Sequence, residues 1–103
     1  MNTSEGGVVG EVTVLVPRLL QPLVDGREEL RFDVGGGASV EELLDAIGSE
    51  FPVFERRLRD ETGKLRRYVN IYLDGEDVRR LAGLQTNASA GQELMVIQSV
   101  AGG

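Results

Sequence analysis

Ser39 and Glu42 open the segment that most constrains this chain, ASVEELLDAIGSEFP. A serine followed three residues later by a glutamate is a capping box: the two side chains satisfy orphan N–H groups of a helix's first turn. Val40, Leu43, Leu44 and Ile47 then recur on one face. The pattern predicts a helix over Ser39–Glu50, stopped by Pro52. A single amphipathic helix has to lay that face on another layer. The segments on either side supply one.

Before the helix, EVTVLV begins at Glu11 and reads as a β-branched strand ended or edged by Pro17. RLLQPLVDGREE follows, with Pro22 and the turn pair Asp25-Gly26. In ELRFDV, Leu30, Phe32 and Val34 alternate with Arg31 and Asp33, as in a strand with one buried face. These two strands are expected to form a hairpin. After the helix, Phe54 and Leu58 anchor a short turn or helix. Val69, Ile71 and Leu73 alternate with Tyr68, Asn70 and Tyr72 in a third strand, closed by the turn pair Asp74-Gly75. Val78 to Leu84 reads as irregular, and GQELMVIQSV as a last strand. The order β-β-α-β-β implies an α+β architecture: one domain over 11–99, a flexible leader over 1–10 and a flexible tail over 100–103. The expected core is Val12, Val14, Phe32, Leu43, Ile47, Val69, Ile71, Leu94 and Val96.

Chemistry is constrained by what the 103 residues lack: there is no cysteine and no histidine. Thiolate catalysis and Cys-ligated metals are excluded, and the commonest neutral-pH base and metal ligand is missing. A net charge of -6 argues against nucleic acid, whose affinity for proteins comes mainly from Lys and Arg neutralising phosphates. No apolar run is long enough to cross a bilayer. MNTSEGGVVG lacks a basic region followed by an apolar stretch, so it does not read as a signal peptide. The expectation is a cytoplasmic protein without a nucleic-acid or membrane partner.

Several clusters have simpler readings than a site. Gly35-Gly36-Gly37 sits between strand and helix as phosphate loops do, but no Gly-Lys-Ser/Thr follows and Lys64 is the chain's lone lysine. The glycines read as a tight turn. Arg56, Arg57, Arg59, Lys64, Arg66 and Arg67 are interleaved with Glu55, Asp60 and Glu61, which reads as a solvated mixed-charge face or, alternatively, as a match for an acidic partner patch. Glu41 and Glu42 complement the helix dipole, which accounts for them more simply than paired catalytic carboxylates with Asp45. Asp74, Glu76 and Asp77 lack the spacing of a calcium loop.

The last strand is more informative. In Leu94-Met95-Val96-Ile97 both alternating faces are apolar, yet a sheet backed by helix on one side leaves its other face wet. Either Met95 and Ile97 or Leu94 and Val96 are therefore exposed, and we expect Leu94 and Val96 inside. Met95 and Ile97 then join Leu15, Asn70 and Tyr72 on the outer face, either covered by a loop or open as a partner surface. Val100 and Ala101 extend that surface toward Gly102-Gly103. A glycine pair has no Cβ and can thread a narrow channel, and the Gly103 carboxylate has no bulky neighbour.

The order of elements resembles the β-grasp (ubiquitin-like) fold, and the Gly102-Gly103 end resembles MoaD/ThiS-type sulfur carriers. RYVNIYLDGEDVR (Arg67–Arg79), Gly63–Leu65 before it and the terminal VAGG are most similar to CysO-like carriers. The resemblance covers nearly all the chain after the leader. It implies that an E1-like enzyme of the MoeB/ThiF type adenylates the Gly103 carboxylate with ATP, and that a sulfur donor then replaces AMP to leave a thiocarboxylate. In the CysO-like branch it implies a PLP-dependent cysteine synthase as sulfur acceptor and a protease that trims the added residue. The chain itself would hold no permanent cofactor and no metal, and would be a protein co-substrate rather than an enzyme. Its longer leader and the GKL segment depart from molybdopterin-synthase small subunits, which remain an alternative. A ubiquitin-like modifier forming isopeptide bonds through Gly103 is another, and a plain interaction domain with an incidental glycine end is a third.

Overall fold

A computed structural model describes residues 10–99. Residues 1–9 and 100–103 lie outside the described residues, and with them most of the expected leader and all of the expected tail. Gly10 is the first described residue, and its carbonyl accepts the Val34 N–H at 2.7 Å.

Strand β1 (Glu11–Leu15) and strand β2 (Glu29–Asp33) form the hairpin, with Val12 opposite Phe32 and Val14 opposite Leu30. Their connection holds a 3-10 helix, Arg18–Val24, which buries Leu20 and Val24. The two-residue strand β3 (Ala38–Ser39) runs into helix α1 (Val40–Glu50). Both halves of the capping box form: Ser39 Oγ accepts the Glu42 N–H at 3.0 Å, and Glu42 Oε1 accepts the Ser39 N–H at 2.9 Å. Pro52 ends one helix and begins another. The Phe51 N–H closes α1 on the Ile47 carbonyl, and Pro52 opens helix α2 (Pro52–Leu58), where a missing N–H removes no helical bond.

Strand β4 (Val69–Leu73) turns at Asp74-Gly75 into the short strand β5 (Glu76–Asp77). The segment expected to be irregular carries 3-10 turns at Val78–Arg80 and Gly83–Gln85 before strand β6 (Asn87–Ala88) and strand β7 (Glu93–Gln98). The main sheet has the order β2-β1-β7-β4-β5, while β3 and β6 form a second, two-stranded sheet. β7 is central, parallel to β1 and antiparallel to β4. At Gly37, φ is 127°, and an added Cβ would stand 3.0 Å from the Asn87 side chain. The turn from strand to helix therefore requires glycine there.

α1 contributes Val40, Leu43, Leu44 and Ile47 to the core, and α2 contributes Phe54 and Leu58. They join Val12, Val14, Leu30, Val69, Ile71, Leu94 and Val96 from the inner face of the sheet. Phe32 is a correction: it is only half-buried and packs at the margin of the core. β2 is an edge strand whose inner face is unevenly covered: Leu30 is buried in the core, whereas Phe32 lies at its margin. Val78, from the stretch expected to be irregular, is fully buried.

Burying an aliphatic side chain contributes about 1.5–3 kcal/mol, but β7 is apolar on both faces. Slipping it by one residue would exchange Leu94 and Val96 for Met95 and Ile97 and also turn Glu93 inward. Asp74 opposes that slip. Its Oδ1 accepts the Glu93 N–H at 2.9 Å and its Oδ2 accepts Gln92 Nε2 at 3.0 Å.

Candidate partner surface and chain exit

The outer face of the sheet is built around β7. Leu94 and Val96 point inward, and Met95 and Ile97 are 39% and 38% exposed on the opposite side. Met95 stands opposite Leu15 on β1 and opposite Tyr72 on β4; Ile97 stands opposite Asn70. Leu15, Met95 and Tyr72 thus form a row across three strands, with Ile97 and Asn70 in the next row. Directly opposed side chains lie about 4.5–5.5 Å apart at Cβ, so the rows make one continuous surface. Leu15, Asn70 and Tyr72 are half-buried there.

A shallow depression of about 230 Å³ opens where β1 ends, lined by Leu15, Val16, Pro17, Met95, Val96 and Ile97. Thr13, Glu29 and Arg31 border the surface on the β1–β2 side, where Arg31 pairs with Glu29 at 2.6 Å. An apolar centre with a polar rim is the composition of a protein-binding patch. The five described residues expected on this surface are therefore brought together. Val100, Ala101, Gly102 and Gly103 lie outside the described residues.

The chain leaves the sheet beside β4. The Ser99 N–H donates to the Tyr68 carbonyl at 2.8 Å. On the other edge of the same stretch is a residue that sequence reading gives no role, Arg79. Its Nη1 donates to the Val69 carbonyl and to Asn70 Oδ1, both at 2.8 Å, and its Nη2 donates to the Arg66 carbonyl at 3.0 Å. The signal that could have found it is the run Asp77-Val78-Arg79: a cap, a core anchor and a long donor in succession. Asp77 Oδ1 does accept the Arg79 N–H, at 2.9 Å.

The charged stretch 55–67 divides in two. Arg59 is not solvated: it is buried, donating from Nη2 to Asp45 at 2.8 Å and from Nε to Glu55, which ties α2 to α1. Burial would lower its pKa, but the bonds and charges of Asp45 and Glu55 outweigh that and raise it. Asp60 caps the following loop, accepting from the Thr62 hydroxyl and from the Thr62 and Lys64 N–H groups. The Thr62 hydroxyl bond is the largest influence, and it holds the Asp60 carboxyl below its usual range. Arg56, Arg57 and Lys64 are exposed. Among the described residues, no group of three or more acidic, cysteine or histidine side chains is placed to hold a metal ion, and no helix is long and apolar enough to cross a membrane.

The model of the ThiS family matches residues 14–103. The sulfur carrier protein CysO of Mycobacterium tuberculosis is 33% identical over 94 residues, covering 89% of this chain and 98% of its own. Small archaeal modifier protein 1 of Haloferax volcanii is 35% identical over 80 residues, covering 78% of this chain and 87% of its own. Among solved structures, a chain of the Amycolatopsis orientalis BexX/CysO complex superposes with a TM-score of 0.77 at 35% identity, over 89% of this chain and 99% of that one. The mixed sheet crossed by α1 is thus a ubiquitin-like β-grasp fold.

Proposed function

The chain belongs to the ThiS family, and on that premise we propose that its Gly103 carboxylate is the group that carries sulfur. The family and its relatives establish the broader role, that of a sulfur carrier or ubiquitin-like protein. The finer reading is a cycle at the terminal glycine. A carboxylate is a poor electrophile. Its oxygen attacks the α-phosphorus of ATP in an E1-like partner, pyrophosphate leaves, and the resulting acyl-adenylate has AMP as leaving group. A sulfide-level donor attacks the acyl carbon, AMP departs, and a thiocarboxylate remains at Gly103. A biosynthetic enzyme then accepts the sulfur, in the CysO-like case on the way to cysteine. The outer surface around Met95 and Ile97 docks the activating enzyme, so that this chain supplies an end group and its partners supply catalysis.

The observation that carries this reading is the family match, which runs through Gly102-Gly103 beyond a last strand that ends at Gln98. ATP–pyrophosphate exchange by the cognate activating enzyme tests it: exchange should depend on this chain and disappear when Gly103 is deleted. Exchange that persists with the deletion variant would place the reactive group elsewhere.

A second reading has its own support in the similarity to an archaeal modifier protein. There the same acyl-adenylate ends in an isopeptide bond to a target lysine. Isopeptide-linked adducts in a lysate, rather than a thiocarboxylate end, would favour it.

A further inference from the structure

β5 pairs with β4 only at Tyr72 and Leu73. Among the described residues, the outer edge of β4 at its start, around Val69, therefore has no strand beside it, and its backbone groups need other partners. The Val69 N–H turns back onto the Arg66 carbonyl at 3.0 Å. The Val69 carbonyl is taken by Arg79, whose guanidinium also holds the Arg66 carbonyl and Asn70 Oδ1. One side chain thus replaces the missing strand and grips both sides of Tyr68. The Tyr68 carbonyl faces the other way, toward β7, and accepts the Ser99 N–H.

From this we infer that Arg79 is a positioning residue that fixes where the chain leaves the sheet toward Gly103, and so sets the rate at which its end reaches the activating site. Arg79 is exposed and touches neither β7 nor Ser99 in the described bonds. It acts through the 66–69 turn. Val78, fully buried one residue before it, anchors the 3-10 turn that carries it. Lysine cannot reproduce the clamp, because an ammonium lacks the planar fork that reaches three acceptors from two nitrogens. The second half of the inference rests on the carrier reading; the first half does not.

Amide hydrogen exchange and activation kinetics on Arg79→Met and Arg79→Lys test it. With Arg79→Met the Ser99 amide should exchange about tenfold faster, as a local opening, while the Ile71 and Val96 amides keep their protection. Arg79→Lys should fall between. In the adenylation assay kcat should drop by a larger factor than KM for the chain rises, since of the five surface residues Asn70 alone is bonded to Arg79 among the described bonds. Asn70→Ala is the control for an effect passed through Asn70, and it should leave Ser99 exchange unchanged. Unaltered Ser99 exchange in a folded Arg79→Met variant would overturn the clamp, and so would a general loss of protection at Ile71 and Val96. Faster Ser99 exchange with unchanged kcat would overturn the link to activation. A wild-type chain that is never adenylated would instead remove the carrier reading, with the Ser99 result still deciding the clamp.

Discussion

Tyr72 and Met95 stand directly opposite each other on the outer side of the β4–β7 pair, and Leu15 meets Met95 from β1. The central strand of the sheet therefore carries an apolar stripe that no described helix covers. Exposed residues at the centre of such a patch carry most of the binding energy when a partner desolvates them. Ile97→Asp should leave the fold intact, because Ile97 is 38% exposed, and should cost about 2 kcal/mol or more of affinity for the activating enzyme. Calorimetric titration beside a thermal melt separates the two effects. Unchanged affinity in a folded variant would remove this surface from the docking model.

Arg59 is the residue whose loss should be felt most in stability among the charged side chains. Its bonds to Asp45 and Glu55 join the two helices, but the Asp45 side chain is 64% exposed and can return to water. Breaking a fully buried pair costs about 3–5 kcal/mol and an exposed one about 0–1. Arg59→Met should fall between, at about 1–3 kcal/mol by urea unfolding, mainly because Glu55, whose side chain is 16% exposed, loses its partner. A loss within experimental error would mean that the methylene packing of the side chain, which methionine keeps, is all that matters.

Asp60 gives a pH dependence with a definite sign. Its folded pKa lies below the ordinary 3.8. A carboxyl shifted down contributes stability that is present above the unfolded pKa and is lost as pH falls through the lower folded value. Asp60→Asn should therefore differ from wild type by a constant amount above about pH 5 and converge on it below about pH 4. Urea unfolding across that range reads the difference. A gap that widens on acidification would contradict the assignment.

Much of this architecture is legible in the sequence because local rules decide it. The capping box at Ser39 and Glu42, the 3.6-residue recurrence of Val40, Leu43, Leu44 and Ile47, and the alternation of Val69, Ile71 and Leu73 all concern neighbours along the chain. Phe32 shows where locality ends. Its alternation is the same as that of Leu30, yet Leu30 is buried and Phe32 is half-buried on the same edge strand, and neither strand order nor coverage is written in a strand's own pattern. The parallel pairing of β1 with β7 and the two-residue pairings of β3 with β6 are non-local for the same reason. Arg59 sits in a stretch whose composition reads as solvent-facing. Only the packing of α2 against α1 brings Asp45 to it, fourteen positions away. On the candidate surface, the doubly apolar strand shows that one apolar face stays wet, but which pair faces outward depends on the register that Asp74 holds at Gln92 and Glu93, and Arg79 depends on a short β5 that sequence does not reveal.

Gly102 and Gly103 carry the proposed chemistry, and the two should respond differently to change. A Cβ at position 102 restricts the backbone and the clearance in a channel, so Gly102→Ala should slow adenylation with little effect on folding. Near-attack geometry requires the reacting atoms within about 3–3.5 Å, and removal of Gly103 takes the carboxylate out of that range. Intact mass spectrometry of the protein, isolated from its own host and again after incubation with ATP, the activating enzyme and sulfide, reads the end group directly. The expected result is exchange of one oxygen for sulfur, dependent on ATP and absent in the Gly103 deletion. Sulfur loading of the deletion variant, or loading of the wild type without ATP, would contradict adenylation and sulfur transfer at Gly103.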